Sequence, residues 1–317
     1  MMQEGLGFQT LPHTVSMAGS IRVLLLDLLV ERAEFGHGGN QEVIRPLLEK
    51  TDVEVLLLTP QMQSFESGLK TDLEVDVPLK PEDVPYWDDE FPFWENNVVE
   101  LESKEVNFRR IVMPMIDDDT KMKKWVKELS IDALVCSGSR RNVSIWEKWM
   151  GPAGTLMRVV ANSGIPTLGI CFGHQLLCHS LGSEIKRAES LSSGIWELKL
   201  TKFGENDPLL TSHLESNSQI YGLYTHQDHV VTMPNNCNHI GMAEHNSITA
   251  IRVNDELGNP LPAWGIQCHP EAARKRIERA FEWGHITQEE FASFRGEHDG
   301  ESILSSFARI VLENTPQ

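Results

Sequence analysis

The chain has 317 residues, is 40% hydrophobic and carries a formal charge of -18. That acidity, with no clustered Lys/Arg face in the sequence, excludes the footprint of a nucleic-acid-binding protein. The longest apolar run, 21–30, is broken by Arg22 and Asp27 and is about half the ~20 residues a membrane helix needs, so no membrane association is expected. Residues 1–20 lack the basic and apolar regions of an export signal, which makes the cytoplasm the expected compartment. The five cysteines, Cys136, Cys171, Cys178, Cys237 and Cys268, show no paired spacing and are expected to be reduced thiols.

In chain order, residues 1–20 read as a loose leader and 21–317 as a single domain. IRVLLLDLLV reads as a buried strand, FGHGGN as a loop whose glycines make a tight turn, and QEVIRPLLEK as a helix that Asn40 caps. The glycine loop lacks the spacing and the following lysine of a phosphate loop, so a nucleotide is not expected there. VEVLLLTP repeats the strand pattern. Residues 61–107, acidic and rich in Pro and Trp, form an insertion too long for an ordinary connection, and no chemistry is assigned to it.

FRRIVMPM, a helix over about 119–129 and IDALVCSG resume the alternation, and two short helical stretches then lead into the strand IPTLGI. Beyond residue 183 the segments SEIKRA, GIWELKL, YGLYTHQDHV, HIGMAEH, SITAIRV and LPAWGIQCHPE read as strands, with C-terminal helices from about 272. Strands alternating with helices predict an α/β fold with a mostly parallel sheet flanked by helices, plus a small antiparallel β annex.

The chemistry concentrates at PTLGICFGHQLLCHSLG. A strand meets Gly169-Ile170-Cys171-Phe172-Gly173 and continues as a helix from about His174, the pattern of a nucleophile elbow. Such a turn exposes the thiol above the sheet, aims the helix N-terminus at it and offers the Phe172 amide to an oxyanion. The alternative is a buried structural thiol. A thiol nucleophile needs a base, and the base an acceptor to orient it. WGIQCHPE supplies both just past a strand end, as His269 and Glu271 on one side of an extended segment. Each also has a bland reading, as a solvated strand-end histidine and a helix-start acid. Cys171, His174, Cys178, His179, Cys268 and His269 are suitable zinc ligands by type, but their placement on one helix and in separate segments argues against a metal, and no cofactor is expected.

GICFGHQ together with GIQCHPE resembles the paired signature of the class I glutamine amidotransferase family, over roughly residues 110–275. The resemblance implies a flavodoxin-like fold and a catalytic triad in which Cys171 attacks a γ-glutamyl carbonyl, His269 shuttles the proton and Glu271 orients His269. It also implies that the Gly138 amide, in LVCSGSRRN, shares the oxyanion hole with that of Phe172, and that Gln175 contacts the substrate's α-amino or carboxylate end. Two features depart from the glutamine-hydrolysing pattern: Ser139 stands where a second glycine is usual, and Gln227 replaces the glycine of a His-Gly pair in YTHQDHV. Ser139 and the His226-x-Asp228 arrangement resemble the plant γ-glutamyl peptidase branch, which makes Ser139, His226, Gln227 and Asp228 candidate substrate contacts. His226 and Asp228 can equally be a pair bracing the annex. Arg140 and Arg141 are further candidates for a substrate carboxylate.

The expected activity is hydrolysis of a small-molecule γ-glutamyl amide through a thioester on Cys171. The alternatives are a glutaminase subunit that passes ammonia to a separate synthetase partner, and a catalytically silent binding module.

Overall fold

The computed structural model describes residues 20–29, 33–62, 104, 106–211 and 219–315. The expected leader and insertion fall almost entirely outside the described residues. Strands β1 (Ile21–Leu26) and β2 (Val53–Leu58) flank helix α1 (Ala33–Leu48); β3 (Val106–Arg110), α2 (Asp119–Leu129), β4 (Ala133–Cys136), α3 (Met150–Asn162), β5 (Thr167–Ile170) and α4 (Phe172–Ser180) follow. Then come β6 (Ile185–Glu197), β7 (Lys199–Leu200), β8 (Tyr221–Val230), β9 (Cys237–Ala243), β10 (Asn246–Asn254) and β11 (Pro260–Ile266), and the chain closes with α5 (Arg274–Glu282), α6 (Gln288–Ser293) and α7 (Gly300–Asn314).

Nine strands form one sheet in the order β3-β2-β1-β4-β5-β11-β10-β9-β7. The first six are parallel; β10, β9 and β7 extend the sheet antiparallel. A separate antiparallel ribbon pairs β6 with β8. The expected α/β fold is therefore present, and the annex divides between the end of the main sheet and this ribbon. Side chains alternating along each strand supply both faces. Val23 and Leu25 of β1 pack with Ile44 and Leu47 of α1 and with Phe307 of α7. Leu24 and Leu26 point the other way, into a second layer with Val126 of α2, Leu156 of α3 and Leu176 of α4.

Two readings of local structure are corrected. Asn40 does not cap a helix: α1 begins at Ala33, runs through the glycine cluster, and buries Asn40 within it. The glycines serve close packing instead of a turn. A Cβ on Gly36 would stand 2.9 Å from Leu29 Cβ, and one on Gly39 would stand 2.8 Å from the Arg276 guanidinium nitrogens. Between β4 and β5 there is one helix, α3, where two were expected; residues 142–149 are irregular, with turns at 143–144 and 148–149. SEIKRA and GIWELKL, read as separate strands, are mostly one strand, β6, with an irregular register between Arg187 and Ser192.

The parallel-to-antiparallel junction is braced by a buried polar cluster. Trp264 of β11 donates its Nε1–H to both Asp207 carboxylate oxygens at 3.1 Å, and Arg252 of β10 reaches the same carboxylate at 3.4 Å while lying 4.9 Å over the indole ring. Replacing Asp207 with Ala strands a buried indole N–H and a half-desolvated guanidinium together. Asp207→Ala should therefore destabilise the fold by about 3 kcal/mol, read as a loss of chemical-denaturation midpoint at unchanged slope.

Candidate active site

Cys171 occupies the one-residue corner between β5 and α4. Its backbone, φ 51° and ψ -100°, lies outside the regions that side chains with a Cβ ordinarily adopt, a strain of order 1–3 kcal/mol. The neighbours hold it there. The Cys171 N–H donates to Ile266 O at 2.9 Å, extending the β5–β11 ladder by one residue, and the Cys171 carbonyl accepts from Gln175 N at 3.1 Å as the first helical bond. Gly169 and Gly173 are required because the chain crosses itself: a Cβ on Gly169 would stand 2.6 Å from Gly173 O, and one on Gly173 would stand 2.4 Å from Cys136 O. Since α4 starts at Phe172, the Phe172 N–H belongs to the first helical turn, whose amides have no intrahelical acceptor.

Because β11 is the parallel neighbour of β5, its chain end arrives beside this corner. His269 lies three residues past β11 and is anchored by donation from its N–H to Leu223 O of β8 at 2.8 Å. Its Nδ1 pairs with Glu271 Oε1 at 2.9 Å, the two side chains keeping only 15% and 13% exposure. With Nδ1 held by Glu271, Nε2 is the ring nitrogen that remains for the Cys171 side chain, which interacts with the imidazole. Burial pulls the imidazole's proton affinity down, but its interactions with the Cys171 and Glu271 side chains outweigh burial and hold His269 well above the ordinary imidazole range. Glu271 is correspondingly held below the ordinary carboxylate range: burial opposes this, and His269 and Arg276 override it. Gly138, in the loop after β4, meets both groups: a Cβ there would stand 2.9 Å from His269 Cε1 and 3.8 Å from Cys171 Cβ. The five sequence-derived residues Cys171, His269, Glu271, Gly138 and Phe172 thus converge on one cleft of about 420 Å³.

The other candidates line the same cleft, but their side chains are engaged with the protein. Ser139 Oγ donates to Leu28 O at 3.0 Å and accepts from Arg141 N at 3.0 Å. Gln175 donates to Asp228 O at 2.8 Å and to Gln267 Oε1 at 3.1 Å, tying α4 to β8 and to the end of β11. Gln227 accepts from Arg187 at 2.7 Å and donates to Ala188 O at 2.9 Å. Asp228 accepts from the amide and the hydroxyl of Ser144 at 2.8 and 2.7 Å. His226 Nδ1 faces Asp228 O at 2.9 Å and must carry the proton, since a carbonyl only accepts; its Nε2 then accepts from His245 Nε2 at 3.0 Å. Burial first, then the neighbouring histidines, lower His226 to about 3, so it stays neutral. The His226 and Asp228 side chains do not pair with each other, and both residues line the cleft. Of the two loop arginines, Arg141 faces Glu147 at 3.5 Å while Arg140 stays exposed at the cleft rim.

His174 and Cys178 are core groups, the His174 ring lying 3.2 Å from Ile248 O and 3.7 Å from the Cys178 sulfur. Sequence reasoning missed Ser144, Gln267 and Arg276, whose places depend on long-range packing. Thr225, whose carbonyl lies 4.0 Å from Cys171 Sγ, was missed for the same reason.

The site thus sets a strained cysteine at a strand–helix corner of an α/β fold beside a carboxylate-paired histidine. A sequence model described as glutamine amidotransferase class-I matches residues 96–282, and the chain belongs to that family. It is 33% identical over 118 residues to one subunit of a glutamine-hydrolysing GMP synthase from Methanosphaera stadtmanae, covering 37% of this chain and 58% of that protein. It is 36% identical over 112 residues to a glutamine-hydrolysing GMP synthase from Thermus thermophilus, covering 35% of this chain and 20% of that one. The chain thus spans between a fifth and three-fifths of the length of these two relatives. A glutamine amidotransferase structure from Thermotoga maritima superposes with a TM-score of 0.50 at 13% identity, covering 92% of this chain and 98% of that one, a likeness of fold.

Removing the Glu271 charge, one of the influences that hold up His269, has a definite sign. Glu271→Gln should lower the His269 titration midpoint, read from the ring Cε1–H resonance, and so shrink the pH range over which the imidazole stays charged. An unmoved midpoint would mean that Glu271 is not its electrostatic partner.

Proposed function

We propose that the chain is a cysteine hydrolase that cleaves the γ-glutamyl amide bond of small-molecule conjugates. In this reading the Cys171 thiol gives its proton to His269 Nε2 as Sγ bonds to the γ-carbonyl carbon, and the amide N–H groups of Phe172 and Gly138 receive the oxyanion. The C–N bond then breaks as His269 Nε2 protonates the departing nitrogen, leaving a γ-glutamyl thioester and a free amine. Water attacks the thioester carbonyl while His269 takes its proton, Glu271 holding the ring throughout. The sulfur leaves and glutamate is released.

The observation that carries this reading is the Nδ1–Oε1 pairing of His269 with Glu271 beside a cysteine in nucleophile-elbow geometry. The cleft favours a conjugate over free glutamine. Its volume of about 420 Å³ falls in the ~300–1,000 Å³ range of sites that enclose drug-sized ligands, room for an amine leaving group beside the γ-glutamyl group. The relatives named above favour a second reading, in which the chain is a glutaminase subunit delivering ammonia to a separate synthetase.

The purified chain should release glutamate from γ-glutamyl amides or dipeptides faster than from glutamine, and Cys171→Ala should reduce that release by about 10³-fold or more. Release from glutamine alone, or only when a synthetase is added, would instead support the second reading. Full turnover by folded Cys171→Ala would exclude both.

A further inference from the structure

We propose that Arg276 is a positioning residue of this site, a buried cation that fixes Glu271 and, through it, His269. The inference rests on the triad reading above, and nothing in the sequence pattern announced it. Arg276 is only 2% exposed, although arginine is almost never fully buried without a partner. It lies in the first turn of α5, and its Nη1 donates to Glu271 O at 2.6 Å, a short charge-assisted bond to the residue that orients the imidazole. Its positive charge also acts on the Glu271 carboxylate, whose Oε2 has no hydrogen-bond partner. The guanidinium thus restrains the main chain of Glu271 and stabilises the anionic form of its side chain.

The packing of α1 leaves room for this group. Gly39 of α1 faces the guanidinium, and a Cβ there would stand 2.8 Å from both Nη atoms and 3.0 Å from the central carbon. The glycine cluster that looked like a turn in the sequence is thereby explained at one position: Gly39 lets α1 close over Arg276. Among the described residues, the titratable groups around Glu271 and its neighbour Cys268 are His269 from the segment after β11, Cys171 from the elbow, Asp299 at the start of α7 and Arg276 from α5. Among the described residues, α1 lines the cleft with Gly36, Gly39, Asn40 and Val43, none of them titratable. Arg276 is the arginine whose charge acts on the Glu271 carboxylate.

The test uses alkylation of Cys171 by chloroacetamide as a function of pH, a readout that needs no γ-glutamyl substrate. It therefore stands or falls separately from the proposed reaction. Loss of the cation makes Glu271 easier to protonate, so the acid limb of the alkylation profile in Arg276→Met should move to higher pH by about one unit. Arg276→Lys, which keeps the charge, should return the limb to its wild-type place. Gly39→Ala, which removes no charge but pushes the guanidinium aside, should move the limb in the same direction as Arg276→Met and serves if that variant does not fold. A purely structural role would lower the thermal midpoint of these variants and leave the acid limb where it was, and that result would overturn the proposal.

Discussion

The site depends on one backbone constraint, the forced conformation of Cys171. A residue with a Cβ at φ 51° and ψ -100° is costly, and it persists only because several independent contacts fix it at once. The ladder bond to Ile266 O fixes the amide side, the first turn of α4 fixes the carbonyl side, and the approach of Gly169 to Gly173 and of Gly173 to Cys136 leaves no room to relax. The strain places the thiol at the carboxyl end of the parallel strands, with a helix N-terminus behind it. The sheet order does the rest. With β4 and β11 on either side of β5, the loops carrying Gly138 and His269 are the two that flank the corner.

Around that corner the protein spends its polar groups on bracing. Gln175, Gln227, Asp228 and Ser139 all line the cleft, yet each has its hydrogen-bonding side chain committed to the framework. The β6–β8 ribbon is held against the α3–β5–α4 body through Asp228 and Ser144, and through Gln175. His226, kept neutral by burial and by its histidine neighbours, completes that brace with His245. Arg140 differs from these in standing exposed where it lines the cleft. The site is therefore rigid in its framework and sparing in its reactive groups, the arrangement expected where geometry does most of the catalytic work.

Much of this was legible in the sequence because it is local. The elbow is written in Gly169-Ile170-Cys171-Phe172-Gly173, since only glycines tolerate the self-crossing. The His269-Pro270-Glu271 spacing puts imidazole and carboxylate on one side of an extended chain. Alternating apolar strands and helices pointed to the parallel sheet, and 119–129 read directly as helix from its periodicity. The failures share a cause. Gly36, Gly38 and Gly39 read as a turn because glycine is a poor helix former. The value of Gly36 and Gly39 lies in contacts with Leu29 and Arg276, which no local pattern encodes. The burial of Arg276 was equally invisible, because a basic residue in an amphipathic helix reads as part of its solvated face.

The central claim, that Cys171 is the nucleophile for a γ-glutamyl group, is tested most directly by trapping. The folded protein would be treated with a γ-glutamyl diazoketone, digested and mapped by mass spectrometry across all five cysteines. The account predicts an adduct on Cys171 alone, with Cys136, Cys178, Cys237 and Cys268 unmodified, and its loss in His269→Ala. An adduct on another cysteine, or undiminished labelling of Cys171 in His269→Ala, would contradict it.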